Sequence, residues 1–120
     1  MGITLFEQLD VWQKGHDLVL KVDKQSALFP SEERYGLIPQ MRRAAVSVPA
    51  NIAEGFSRRG QQEKFHFYNT AKSSLEELRC YFILSRDLEF RIEFNDIMAH
   101  ADQTARMLSG LMRAVQNRTT

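Results

Sequence analysis

The spacing of apolar residues between positions 37 and 57 constrains the fold more than any other feature of the sequence. They recur at alternating intervals of three and four, in Ile38, Met41, Ala45, Val48 and Ile52. An α-helix has 3.6 residues per turn, so this spacing places all five on one face and suits helices that pack at a shallow angle. The segment therefore predicts a helix from Leu37 to Ser57 with one buried stripe.

Three other segments show the same period, and none shows the alternation that is typical of a strand. They predict helices from about Phe6 to Leu28, Gln61 to Leu88 and Ile92 to Gln116. In the helix that begins near Phe6, the expected core positions are Leu5, Leu9, Trp12, Val19 and Val22. In the helix that begins near Gln61, they are Phe65, Tyr68, Ala71, Leu75, Leu78 and Phe82. In the helix that begins near Ile92, they are Phe94, Ile97, Ala101, Thr104, Leu108, Leu111 and Val115.

Four amphipathic helices with short connections predict an all-α fold, an antiparallel up-down-up-down four-helix bundle. The length of 120 residues suits a single domain over residues 1–120, with a short polar tail at 117–120. Trp12, Phe65, Phe82 and Phe94 are expected to help fill its core.

The composition narrows the class of protein. The hydrophobic fraction of 43% and the charged fraction of 26% are ordinary for a soluble globular protein. There is no apolar run long enough to span a membrane and no signal peptide at the start. A single cysteine, Cys80, excludes an internal disulfide and fits a reducing compartment. We therefore expect a cytoplasmic protein with no membrane partner.

Basic residues concentrate around the second predicted helix, although the net charge of the chain is only +1. Arginine and lysine side chains bind phosphate, so this group predicts a surface that binds RNA or DNA, with affinity that falls as salt rises. The alternative is a solvated face, or ion pairs with Glu76 and Glu77 or with a neighbouring subunit. The candidate nucleic-acid-binding residues are Arg42, Arg43, Arg58, Arg59 and Lys64.

Pro49 lies inside the second predicted helix, where it lacks an N–H and is expected to displace the carbonyl of Ala45 and kink the helix. Asn51 and Glu54 lie three residues apart and share a face next to it. We interpret them as a structural polar motif that bonds freed backbone groups or pairs with an arginine across the bundle. The alternative is that they bind a ligand.

The sequence contains no recognisable catalytic constellation. Glu63 and His66 have the Glu-x-x-His spacing of di-iron bundles, and Asp96 and His100 lie four apart, but such bundles need two copies of the motif and further glutamates. Cys80 has no histidine and acid partner nearby in sequence, and a lone cysteine is more often a small buried apolar residue. We predict no catalytic residue, no metal and no cofactor, and hence a protein that is not an enzyme.

Several motifs, taken in order, resemble the four-helix-bundle family of 23S rRNA intervening-sequence proteins. The resemblance runs from about Leu9 to Leu111 and is carried by Val11–Lys14, Phe29–Pro30, Glu33–Leu37, Arg42–Gly55 and Ser74–Leu78. It implies a four-helix bundle of bacterial origin, linked to reading frames inside intervening sequences of large-subunit rRNA genes. This chain departs from the family at Gly15, where alanine is usual, and at Glu89–Arg91, where a glycine turn is common.

Some members of that family resemble the accessory protein of diversity-generating retroelements, a pentameric barrel with a basic surface that binds nucleic acid. The resemblance thus implies a homo-oligomer, and a pentamer in particular, in which repeated basic patches would add avidity. Apolar residues outside the predicted stripes also favour a partner surface. They are Phe6, Phe56, Phe67, Tyr81, Ile83 and Phe90. The alternative function is a scaffold for a protein partner encoded by the same genetic element.

Overall fold

The computed structural model describes residues 2–117, and this part of the chain is all-α, without strands. Its four helices are α1 (Asp10–Ser26), α2 (Leu37–Ser57), α3 (Gln61–Asp87) and α4 (Phe94–Asn117). Short 3-10 turns at Phe6–Gln8 and Ser31–Glu33 precede α1 and α2. The predicted all-α class and its four helices are confirmed. Of the polar tail expected at 117–120, Asn117 ends α4 and residues 118–120 lie outside the described residues.

The helices form a bundle in which α1 and α3 each pack against α2 and α4. Between α2 and α3, the neighbouring pairs are Met41 with Ser85, Ser47 with Ser74, and Gly55 with Tyr68. Residue numbers rise along α2 and fall along α3, which is the order that an antiparallel pair gives. The bundle measures 49 × 23 × 19 Å.

The core agrees with the predicted stripes of the last three helices. In α2, Met41, Ala45, Val48 and Ile52 are buried and Ile38 is half-buried. Every predicted core position of α3 and α4 is buried or half-buried. Of the four aromatic residues expected in the core, Phe82 is fully buried, while the other three are half-buried at its edge.

The first helix differs from the prediction in both its start and its buried face. It begins at Asp10 rather than Phe6, because Gln8 Oε1 accepts the backbone N–H groups of Thr4 and Leu5 at 3.0 Å and Leu9 is extended. Leu5 is exposed, whereas Leu9, Trp12 and Val19 are half-buried. The residues of α1 that are buried are Val11, Gly15, Leu18, Val22 and Ser26.

Two local features fix the position of α2 against α1. Glu33 Oε1 accepts the N–H of Leu37 at 3.0 Å, which caps the start of α2. Pro49 lies inside one continuous helix and packs close to the buried Gly15. A Cβ at Gly15 would lie 3.3 Å from Val48 Cγ1, so glycine lets α1 approach α2 closely here.

The turn from α3 to α4 closes without a glycine. Glu89 takes up a left-handed conformation with φ of 61°. Its N–H donates to the Arg86 carbonyl at 2.9 Å, and the N–H of Phe90 donates to the Ser85 carbonyl at 3.0 Å, which is a Schellman motif. The Phe90 ring then packs against Phe29, with ring centroids 5.1 Å apart.

Candidate interaction surfaces

The five predicted nucleic-acid-binding cations lie at opposite ends of α2 rather than in one patch. Arg42 and Arg43 lie in its second turn, and Arg58 and Arg59 directly follow its last residue. Sixteen residues of helix separate the two groups, or about 24 Å along the axis. Lys64, in the first turns of α3, lies with the second group.

Arg42 is engaged with α1. Its Nε lies 3.0 Å from Ser26 Oγ and 3.2 Å from Asp23 Oδ1, and its Nη2 donates to the Asp23 carbonyl at 3.1 Å. The guanidinium therefore ties the last turn of α1 to α2. The neighbouring Arg43 is exposed and forms no ion pair within residues 2–117.

Glu76 and Glu77 pair with other groups than the arginines of α2. Glu76 pairs with Arg79 at 3.3 Å on its own helix. Glu77 accepts the hydroxyl of Tyr81 at 2.6 Å, and this hydrogen bond raises the pKa of Tyr81. The expected alternative, ion pairs between these glutamates and the α2 arginines, is therefore replaced by pairs within α3.

Arg58 and Lys64 support the end of α2. Arg58 Nη2 donates to Glu54 Oε2 at 2.9 Å, and its guanidinium lies over the Phe67 ring at 4.7 Å. Lys64 Nζ donates to the carbonyls of Gly55 and Phe56 at 3.2 and 2.9 Å, where carbonyls at a helix end lack intrahelical partners.

Arg59 differs from these two neighbours. It is exposed and forms no ion pair in the described part of the chain. Three of the five candidate cations thus have contacts that hold the bundle together. The other two, Arg43 and Arg59, are exposed to solvent.

Asn51 belongs to a polar seam between α2 and α3. Its Nδ2 donates to the Ser47 carbonyl at 2.8 Å and to Ser47 Oγ at 2.9 Å, and Ser47 Oγ lies 2.8 Å from Ser74 Oγ. Asn51 thus bonds the carbonyl of Ser47. The carbonyl of Ala45, which has no helical donor because Pro49 lacks an N–H, is not its partner. Glu54 pairs with Arg58, which directly follows the last residue of α2, rather than with an arginine across the bundle. These bonds fit a structural role for both residues.

The residue pairs with metal-ligand spacing do not converge. Within residues 2–117 there is no group of three or more His, Cys, Asp or Glu side chains that could hold a metal ion. His100 Nε2 lies 3.0 Å from the Lys14 carbonyl, and Asp96 Oδ2 lies 2.8 Å from Lys21 Nζ. That contact lowers the pKa of Asp96 and raises the pKa of Lys21. Cys80, expected to be buried, is exposed.

The apolar residues predicted to form a partner surface are mostly covered by their own chain. Phe6 packs on Trp12 with ring centroids 5.1 Å apart, and Phe90 packs on Phe29. Phe56 and Phe67 lie beneath Lys64 and Arg58, and Tyr81 is half-buried. Ile83, 38% exposed, is the one member of this predicted set that ranks as exposed.

A different set of exposed apolar residues lies where α1 and α3 end. Leu20 and Leu28 are 56% and 57% exposed, and Leu84 and Leu88 are 43% and 48% exposed. Sequence reasoning missed these leucines, although Leu20 falls outside the buried face formed by Leu18 and Val22. We call this set the apolar end, and its members are Leu20, Leu28, Tyr35, Ile83, Leu84 and Leu88.

A family model described as 23S rRNA-intervening sequence protein matches residues 7–110. The chain belongs to this family. The match begins in the first 3-10 turn and reaches well into α4, so it covers nearly the whole bundle and confirms the resemblance. No curated protein matches the chain. None of the helices described within residues 2–117 has the length and hydrophobicity required to cross a bilayer.

Proposed function

We propose that this intervening-sequence protein is a non-catalytic, cytoplasmic bundle that works as a homo-oligomer, assembling through its apolar end. The observation that carries the proposal is the exposure of four leucines at this end, each between 43% and 57%. Two of them lie at the end of α1 and two at the end of α3. Groups of exposed apolar side chains mark sites of protein association, because covering them removes apolar area from water. A pentamer, as the family resemblance implies, is the proposed subunit number.

The charge distribution supports association as the main activity rather than nucleic-acid binding. The chain has a net charge of +1, and proteins that bind nucleic acid mainly through phosphate contacts are usually far more basic. Arg42, Arg58 and Lys64 bond groups of their own bundle. Of the five candidate cations, Arg43 and Arg59 are then left to release counterions on binding.

Co-expression of two differently tagged copies tests this proposal. Purification through the first tag is expected to recover the second copy in amounts comparable to the first. Recovery of a different protein from the native host without the second copy would overturn self-association and favour the scaffold for a separate partner. Recovery of the first copy alone would contradict both.

Nucleic-acid binding is a second candidate, and the turn between α2 and α3 favours it. Arg58 and Arg59 lie at this turn, and Gly60 begins α3 without a side-chain cap. The first N–H groups of an uncapped helix favour a phosphate, and arginine adds a fork of donors. In an oligomer, these turns would be repeated and their weak contacts would add.

Arginine variants separate binding from stability. Arg59→Gln is expected to weaken binding of single- or double-stranded RNA and to lower the slope of log affinity against log salt by about one, without changing stability. Arg42→Gln is the matched control, since its loss frees the last turn of α1 and should lower stability but not affinity. Undiminished affinity in the Arg59 variant would remove the turn as a binding site.

A further inference from the structure

The apolar end consists of two separate surfaces, one on α1 and one on α3. We infer that they are complementary, so that the α1 surface of one subunit receives the α3 surface of a second copy of this chain. This inference rests on the proposed self-association and specifies which faces meet. It follows from the shape, apolar content and charge of the two surfaces.

The first surface is an open groove of about 490 Å³ beside α1, which we call the α1 groove. Leu20 lies on α1 and Leu28 lies two residues past the end of this helix, and both line the groove. Lys24 and Arg91 form no ion pair within residues 2–117. The groove and its continuation are lined by Leu20, Lys21, Lys24, Gln25, Leu28, Arg91, Ile92 and Glu93.

The charge of the α1 groove is positive on balance. Lys21, Lys24 and Arg91 are its three cations, and Glu93 is its one carboxylate. Lys21 is held by Asp96 at 2.8 Å, which leaves Lys24 and Arg91 to meet an incoming group. The groove therefore fits an apolar helix face that carries carboxylates.

The second surface is such a face, at the end of α3, and we call it the α3 ridge. Its members are exposed, and they are Cys80, Ile83, Leu84, Asp87 and Leu88. Glu77 adds a second carboxylate one turn earlier. Asp87 forms an ion pair with Arg86 at 3.0 Å, whereas Glu77 forms no ion pair within residues 2–117 and only accepts the hydroxyl of Tyr81. Glu77 is therefore the carboxylate that leaves the ridge acidic on balance.

The position of the two surfaces on the bundle makes the contact head-to-tail. Each of α1 and α3 packs against α2 and α4, so the two helices lie diagonally and their outer faces point in different directions. One subunit therefore cannot bring its own groove and ridge together. Two copies can do so, and each then offers an unused ridge or groove to a third, which gives a closed ring or a filament.

The shared end sets the relative direction of the subunits. Groove and ridge both lie where α1 and α3 end, at the same height on the bundle. Neighbouring subunits can thus dock side by side with their helical axes pointing the same way. A two-fold contact between identical surfaces would instead place groove against groove or ridge against ridge, with like charges opposed.

Two single variants test this arrangement by light scattering of the full chain. Leu20→Glu adds a carboxylate that faces the acidic ridge, and Leu84→Lys adds a cation that faces the basic groove. Each is expected to weaken association about 100-fold or more, because like charges in a contact cost several kcal/mol. Both side chains are exposed, so the helical content and melting temperature should stay near wild type.

Mixing the two variants gives the sharper readout. The Leu20→Glu chain keeps an intact ridge and the Leu84→Lys chain keeps an intact groove, so the mixture is expected to form 1:1 complexes that neither variant forms alone. Disruption by one variant but not the other would overturn the head-to-tail contact, since a two-fold contact uses a single surface. Failure of the mixture to associate would overturn it as well.

Val46→Glu is the matched control. Val46 is 52% exposed, close to the 56% of Leu20, and lies on α2, which contributes no residue to the groove or the ridge. Val46→Glu should leave the assembly intact, and a Val46→Glu chain that fails to assemble would assign the interface to α2 instead.

A wild-type chain that stays monomeric would overturn the proposed function itself. An oligomer that survives both Leu20→Glu and Leu84→Lys would overturn only this inference. Should either variant unfold, Leu28→Glu and Leu88→Lys replace it.

Discussion

At the scale of single residues, Gly55 allows the ring of Tyr68 to pack against the backbone of α2. A Cβ at Gly55 would lie 2.5 Å from Tyr68 Cε1 and 3.2 Å from Phe67 Cβ, and Tyr68 is only 1% exposed. Gly55→Ala is therefore expected to lower the free energy of unfolding, since overpacking costs about 1–3 kcal/mol and alanine returns about 1 kcal/mol of helix propensity. Urea unfolding measures the difference.

Gly110 provides the control for that prediction. It also lies inside a helix, but a Cβ there would meet Arg113 Nη2 at 3.8 Å, an ordinary contact. Gly110→Ala should raise the free energy of unfolding by about 0.5–1 kcal/mol. Equal gains at both positions would show that the Tyr68 contact does not require glycine.

Glu89 illustrates the opposite case, a side chain where glycine would be less strained. A φ of 61° costs a residue with a Cβ about 1–2 kcal/mol, and glycine would remove this strain. Glycine is also more flexible in the unfolded chain, which takes back about 0.5–1 kcal/mol of that gain. Glu89→Gly is expected to raise the melting temperature, with a gain in unfolding free energy of up to about 1 kcal/mol. A lower melting temperature would mean that the Glu89 side chain stabilises the turn in another way.

At the scale of helices, the contact between Lys21 and Asp96 links α1 to α4 and makes this link depend on pH. The hydrogen bond from Lys21 lowers the pKa of Asp96 below its usual value of 3.8, so the folded protein holds the proton less tightly than the unfolded chain. The stabilisation is then present above the unfolded pKa and is lost as the pH falls through the folded one.

Asp96→Asn tests this link. The variant has no carboxyl group at position 96 to titrate. Its free energy of unfolding should therefore be lower than that of wild type at about pH 6, and the difference should shrink as the pH is lowered toward about 2. Urea unfolding at several pH values measures it. A difference that stays constant over this range would show that the carboxylate does not stabilise the folded state through Lys21.

The helices also show which parts of the fold can be predicted from sequence. The predicted bounds of α2, Leu37 to Ser57, match the structure because its stripe is regular and Glu33 caps its start locally. In α1 the buried positions Val11, Gly15, Leu18 and Val22 recur at steps of four, three and four, but Gly15 has no apolar side chain and so the predicted stripe followed Trp12 and Val19 instead. Its start was placed too early because the hydrogen bonds of Gln8 form a separate turn.

The candidate site was less predictable, because the partners of its residues come from other helices. Arg42 pairs with Asp23, nineteen positions away on α1, and Lys64 reaches back to the end of α2. Sequence spacing identifies a group of cations but does not show which of them the fold uses. The exposure of Leu84 and Leu88 likewise depends on where α2 and α4 lie, which follows only from the packed bundle.

At the scale of the whole molecule, the bundle has two unlike surfaces at one end, the α1 groove and the α3 ridge. The elongated shape, 49 Å by about 20 Å, leaves the other end free, where Arg58 and Arg59 lie. An assembly of parallel subunits joined at the apolar end would therefore display all of these turns on one side. Association and nucleic-acid contact can thus occupy opposite ends of the same particle.

The mass of the wild-type chain in solution tests self-association most directly. Size-exclusion chromatography with light scattering, at several loading concentrations, is expected to give a multiple of 13.9 kDa, with five subunits as the proposed number. A raised ratio of absorbance at 260 to 280 nm that salt lowers would add bound nucleic acid. A mass of 13.9 kDa at every concentration would contradict the account, because the exposed leucines would then have no second copy to cover them.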